Sequence, residues 1–326
     1  MKILFYLSIL ILLITSCSKE FASPENTPTT VLESFWEFTD ENYVYFDYKN
    51  IDWEAQKSIY AQNNLDHISD DSLYALCTTM LTTLKDGHCF LIRPNEEFSY
   101  DYTNGFEIHF DLDLISEKYL NNNFQNLGQY TFGIIQDTIG YVHYEKFRQG
   151  NFFSDVMEFF NDQKVSKIII DLRNNGGGSP SIAQNMAGWF VNQETLVGYI
   201  THKGGKAHDD FSEKIEVTAT PKSIYFDKKV NIIINRNSYS ASSYFTGMVR
   251  HLPNIQLIGQ ITGGGGGAAA AYELPNAWVV GITSNFFLDS ENQQIENGVE
   301  PDIFIENSAE DLVNETDQML EEAINK

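Results

Sequence analysis

Basic side chains are scarce in this chain. Lys and Arg number 21 against 45 Asp and Glu, for a net charge of −24. Such a surface repels nucleic acid and anionic lipid headgroups, so neither polyanion is an expected partner. Cysteine is nearly absent: only Cys17, Cys77 and Cys89 occur. The last two allow one disulfide in an oxidising compartment, which is far from a disulfide framework. Long apolar runs are confined to the start, and no later segment approaches the ~20 apolar residues of a spanning helix. No Cys/His/Asp spacing matches a common metal site. No GxxxxGK[ST] or well-placed GxGxxG loop for a nucleotide is present either, so neither metal nor cofactor is expected.

What is present starts with a processing signal. Met1-Lys2 precedes the apolar run Ile3 to Ile14, then Thr15-Ser16-Cys17. This is the layout of a secretory signal. Its ending resembles a bacterial lipobox, in which Cys17 becomes the lipidated first residue. Residues 1–17 are thus expected to be a lipoprotein signal. Residues 18–30, rich in Ser, Pro, Thr and Glu, are expected to be a flexible tether to the membrane. The expected location is the cell envelope, with the lipid facing either side.

The remaining ~300 residues suffice for a small helical domain and a larger α/β one. Residues 31–92 read as helical. Leu73, Leu76, Cys77, Met80, Leu81 and Leu84 keep helical spacing, with Asp70 and Asp71 at the start and Gly87 at the end. Residues 93–138 read as a short connecting region in which Phe106 to Leu112 alternates like a half-buried strand. Residues 139–310 alternate strand and helix: strands at Ile139–Tyr144 and 165–172, helices near 152–160 and 179–191. This implies βαβ units and a partly parallel sheet. Residues 311–326 are expected to be a C-terminal helix.

Several segments could carry chemistry. The apolar strand Val230-Asn231-Ile232-Ile233-Ile234 runs into Ser238-Tyr239-Ser240-Ala241-Ser242-Ser243, and Phe245, Met248, Val249 and Leu252 then follow at helical spacing. Strand, small-residue turn and helix would present Ser240 at a helix N-terminus, where free N–H groups favour developing negative charge. A plain N-cap is the competing reading. Asp171-Leu172-Arg173-Asn174-Asn175-Gly176-Gly177-Gly178 ends a buried strand. Its glycines allow an oxyanion hole, a phosphate cradle or a simple turn. His88 lies just past a helix C-terminus. Gly263 to Gly267, then Ala268 to Ala271, suits a mobile loop or a close backbone approach. Glu296, in Ile295-Glu296-Asn297-Gly298-Val299-Glu300-Pro301-Asp302, is either a turn carboxylate or a group that orients a histidine.

Together these parts resemble the C-terminal processing (tail-specific) serine proteases, the group that includes the tricorn core protease and retinoid-binding-protein relatives. The carrying motifs are His88 after Asp-Gly, Asp171-Leu172-Arg173-Asn174-Asn175-x-Gly177-Gly178, Ser240-Ala241-Ser242, and Glu296-Asn297-Gly298-Val299-x-Pro301-Asp302. The resemblance implies a ClpP/crotonase-like α/β core behind a small N-terminal helical domain. It implies hydrolysis of peptide or protein substrates, with Ser240 as nucleophile and the N–H groups of Gly177 and Ala241 as oxyanion hole.

Three departures shape the expectation. Many members use a Ser-Lys dyad, but the lysine slot falls at Gly265, and no lysine lies between Lys229 and Lys326. The tricorn-like branch instead uses an early histidine and a late glutamate, slots matched by His88 and Glu296. Ser243 stands where many members carry Glu. Residues 93–138 are also too few for the PDZ domain that many relatives insert. The expectation is therefore a lipid-anchored serine peptidase with Ser240, His88 as base and Glu296 holding the imidazole. The alternative is an inactive peptide- or ligand-binding surface lipoprotein on the same scaffold. A crotonase-type acyl-thioester enzyme is a third, less favoured by the export signal.

Overall fold

The structure is a computed structural model that describes residues 25–61, 65–148 and 152–326. The expected signal and Cys17 lie outside the described residues. No helix among the described residues is long and apolar enough to cross a membrane.

The N-terminal part is helical for local reasons. Pro28–Asn42 starts at Thr27, whose hydroxyl accepts the Thr30 N–H in a reciprocal capping box, with proline in the first turn, so residues 27–30 belong to this helix start and not to the expected flexible tether. Asp70–Thr82 starts at Ser69, which accepts the Ser72 N–H, with Asp70 and Asp71 at the positive end of the dipole. The short helices Phe46–Lys49 and Glu54–Ala61 lie between them. This part does not own a separate core. Val31, Leu32, Phe35, Trp53 and Leu81 pack with Leu274, Trp278, Val280, Ile282 and Phe286 from far along the chain. The strand Phe90–Arg93 also pairs antiparallel with Val279–Thr283. The boundary expected at residue 92 is thus bridged by a four-stranded sheet built from both ends of the sequence.

The main sheet has seven strands. Their order is Ile303–Phe304, Ile255–Gly259, Val230–Ile234, Lys167–Asp171, Ile139–Tyr144, Tyr130–Ile135 and Phe124–Leu127. The first five are mutually parallel, and the last two add antiparallel at one edge. Every residue of Val230–Ile234 is buried, as a strand covered on both faces should be. The region 93–138 is therefore partly core sheet and not only a connector. The half-buried strand expected at 106–112 does not form. Residues 106–111 run without regular structure into the short helix Leu112–Leu114, whose cap is Asp111. The C-terminal helix is two helices, Ala309–Val313 and Gln318–Asn325.

A buried cation fixes the end of the chain to this sheet. Arg173 is fully buried. It grips Asp171 with Nε at 2.9 Å and Nη2 at 2.6 Å, and reaches Asp317 at 2.8 Å. The Asp171-Leu172-Arg173 motif is thus a structural clamp that sets the turn after it.

Candidate active site

The helix Ala241–Val249 begins immediately after Ser240. Ser240 occupies the N-cap position but makes no side-chain cap bond, so the plain-cap reading fails. Its backbone is at φ 57°, ψ −121°, a region that costs a non-glycine residue about 1–3 kcal/mol and persists only where the surroundings impose it. Those surroundings are specific. Ser240 N–H donates to Gly264 O at 2.9 Å, Tyr239 N–H to Asn175 O at 3.0 Å, and Gly263 N–H to Ser238 O at 2.8 Å. Ser240 Oγ lies 3.0 Å from His88 Nε2.

His88 reaches the serine across 152 residues of sequence. Past the helix Asp70–Thr82 the chain turns at Lys85, which is left-handed at φ 47°. Asp86 then accepts the His88 N–H on Oδ1 at 2.8 Å and the Thr283 hydroxyl on Oδ2 at 2.8 Å. The buried Asp86 therefore sets the direction in which the imidazole leaves the backbone. The ring lies 4.9 Å from the Tyr239 ring, which is stacked on Tyr102 at 3.7 Å. Burial pushes the His88 pKa below its ordinary value against the opposing pull of Asp86. The imidazole is accordingly neutral at neutral pH, as a general base must be. With Nε2 accepting from the serine, the proton sits on Nδ1, an atom that is buried and has no partner among the described residues.

Glu296 does not hold that nitrogen. Its Oε1 pairs with Lys49 Nζ at 2.7 Å and its Oε2 accepts the Gly266 N–H at 2.8 Å. The expected Glu296–His88 hydrogen bond is absent, because the short helix Phe46–Lys49 delivers an ammonium to the carboxylate first. Burial, then the nearby Asp86 charge, still push the Glu296 pKa up to about 7, against the pull of Lys49.

The glycine run explains the missing lysine. Gly263 to Gly267 are all buried. A Cβ on Gly264 would lie 1.9 Å from Glu296 O, and one on Gly265 would lie 2.6 Å from the Tyr239 ring and 2.9 Å from His88 Cε1. The run is a tightly packed wall between His88 and Glu296, not a mobile loop. A lysine in the Gly265 slot and an imidazole at His88 would compete for the same space. Ser243 fastens this wall: its hydroxyl donates to Ser238 O at 3.0 Å and accepts the Gly264 N–H at 3.1 Å.

The two expected oxyanion donors differ. The Ala241 N–H is at the first position of its helix and makes no hydrogen bond among the described residues. Gly177 is beside Ser240, since a Cβ there would meet Tyr239 O at 2.5 Å and Ser240 Cβ at 2.7 Å. Its N–H, however, already donates to Asn175 Oδ1 at 2.9 Å. In this conformation one donor is open and the other is engaged.

Sequence reasoning missed two residues of the site. Asp86 carried a local signal, an Asp two residues before the N–H it accepts. Lys49 carried none, because nothing near position 49 announces a partner at 296. Cys77 and Cys89 are both buried free thiols.

Residues 138–305 match peptidase family S41 and residues 24–79 match the tricorn protease C1 domain. A solved candidate peptidase from Parabacteroides merdae ATCC 43184 superposes with a TM-score of 0.86 at 30% identity, covering 92% of this chain and 96% of that one. A photosystem II D1 C-terminal processing protease shares the fold at a TM-score of 0.59 and 17% identity, over 86% of this chain and 94% of that one. A probable CtpA-like serine protease of Staphylococcus haemolyticus is 30% identical over 51% of this chain. The aligned part is about a third of that relative's own length, 33%.

Proposed function

The chain belongs to peptidase family S41, and on that premise we propose that it is a serine peptidase in which Ser240 attacks the scissile carbonyl with His88 as its base. The observation that carries this reading is the 3.0 Å contact between His88 Nε2 and the Oγ of a serine held at φ 57°. His88 takes the Ser240 proton as the Oγ–carbonyl bond forms and returns it to the leaving amine. The Ala241 N–H holds the oxyanion from the start. Gly177 adds a second donor once its N–H turns from Asn175 Oδ1 toward the substrate, a gain typically worth about 3 kcal/mol. Glu296 acts without touching His88: it closes the site from behind the glycine wall and contributes negative potential there.

Peptide or protein substrates are the partners of this reading. The chain is further proposed to sit at the cell envelope on a lipid carried by Cys17, which Cys17→Ala should release into the detergent-poor phase on partitioning. The test of the chemistry is hydrolysis of a panel of unstructured peptides by wild type and Ser240→Ala. Loss of the serine is expected to lower kcat by about 10⁴-fold or more without lowering Tm. Equal turnover by the two proteins would rule out Ser240 as the nucleophile, and none by either would leave the inactive binding protein as the better account.

A further inference from the structure

Lys49 is the one ammonium that reaches the buried carboxylates of the site among the described residues, and its geometry is saturated. Nζ donates to Glu296 Oε1 at 2.7 Å and to the carbonyls of Leu84 and Lys85, each at 3.1 Å. An ammonium has three N–H bonds, so all are used. Its side chain is 8% exposed and that of Glu296 3%, which is a buried ion pair and not a casual surface contact. The two carbonyls belong to the turn that leads through Asp86 to His88, and the Tyr43 hydroxyl donates to Leu84 O as well, at 3.2 Å. Lys49 therefore clasps the base-bearing turn with two bonds and the core carboxylate with the third.

We propose that Lys49 is a positioning residue for the Ser240–His88 pair, fixing where the imidazole sits and the electrostatic field it feels. The proposal rests on the peptidase reading above. Glu296 pairs with this cation directly, and the buried Asp86 lies within electrostatic range of it. Tyr43, Tyr45, Tyr48, Tyr244 and Arg236 also lie within electrostatic range of Glu296. Both charges act on the base as well, since Asp86 raises the His88 pKa and Lys49 lowers it. Without the ammonium the base should hold its proton to higher pH, and the turn that aims it should loosen. A buried ion pair is often neutral for stability against an apolar replacement, so stability alone is a poor reason to place one here.

The experiment compares wild type, Lys49→Met and Lys49→Arg. One arm measures kcat and KM across pH on a peptide that wild type cuts. The other arm follows the His88 ring titration by NMR in the Ser240→Ala background, which needs no turnover. Lys49→Met is expected to lower kcat about 10–100-fold with KM nearly constant. It should move the acid limb and the His88 titration up by roughly half to one pH unit, with partial recovery in Lys49→Arg. A purely structural lysine would lower Tm and leave both midpoints in place, and that result overturns the proposal. If Lys49→Met does not fold, the double variant Lys49→Met/Glu296→Gln is compared with Glu296→Gln alone, from which it differs only at position 49, and an unchanged His88 titration between those two is equally fatal. If wild type cuts nothing, the peptidase reading fails, while the His88 titration still decides the role of Lys49.

Discussion

Two buried cations join distant parts of this molecule, and they do so in opposite ways. Arg173 grips Asp171 and Asp317 with its planar fork, and all three side chains are fully buried. The Tyr141 hydroxyl donates to Asp171 at 2.9 Å, and the N–H of Leu320 and the amide of Asn307 donate to Asp317 at 3.0 Å. The arginine holds the Asp171 pKa below its ordinary value despite burial, so the Arg173–Asp171 pair keeps one charge state across the physiological range. Lys49 meets Glu296 with a single bond, and Glu296 titrates near 7. The guanidinium suits a clamp, because its charge is permanent and its donors are fixed in a fork. The ammonium suits a site, because it balances a carboxylate that sits close to its own midpoint.

The comparison breaks first at the clamp. Arg173→Met leaves two buried carboxylates unpaired and should cost about 3–5 kcal/mol, read as the urea unfolding midpoint. A loss below about 1 kcal/mol would mean that the clamp is ornamental. Arg173→Lys sharpens the contrast, since an ammonium cannot serve Asp171 with two parallel bonds and still reach Asp317. About 2 kcal/mol should be lost, where the reverse exchange Lys49→Arg should cost less.

The comparison extends to the pH dependence of stability. Glu296 has a folded pKa raised from 4.5 to about 7. Its contribution is complete below about 4.5 and is lost as pH rises through about 7. Asp171 is shifted the other way from 3.8, so its contribution is lost only as pH falls below that value. From pH 5 to pH 8, wild type should therefore lose about 1–3 kcal/mol relative to Glu296→Gln, a difference in which the histidines cancel. Parallel curves for the two proteins would place the ionisation of Glu296 outside this range.

Much of the α/β core was legible in the sequence. Val230 to Ile234 is apolar except for Asn231 and is buried on both faces, and Ile139–Tyr144 forms the strand its pattern predicts. The Ser240 turn was legible as a strand-to-helix junction, because a short apolar run gives way there to apolar residues at helical spacing. Residues 106–112 misled, since their alternation is one of residue type only: Phe106 and Glu107 are both exposed, Ile108, His109 and Phe110 are all half-buried, and burial does not alternate along the segment. The glycine run was legible only as permissive. That five glycines form a wall becomes clear when the neighbours of each absent Cβ are known.

The sequence by itself determined the acidic surface, the helix start at Asp70 and Asp71, the buried central strand, and the turn that presents Ser240. Each follows from residues within a few positions of one another, whose preferences act before any tertiary contact forms. Only the tertiary structure decided which polar atoms meet: His88 with Ser240, Lys49 with Glu296, and Asn175 with the Gly177 N–H. Hydrogen bonds and ion pairs depend on ångström distances between segments up to 247 residues apart, and no local pattern encodes those distances.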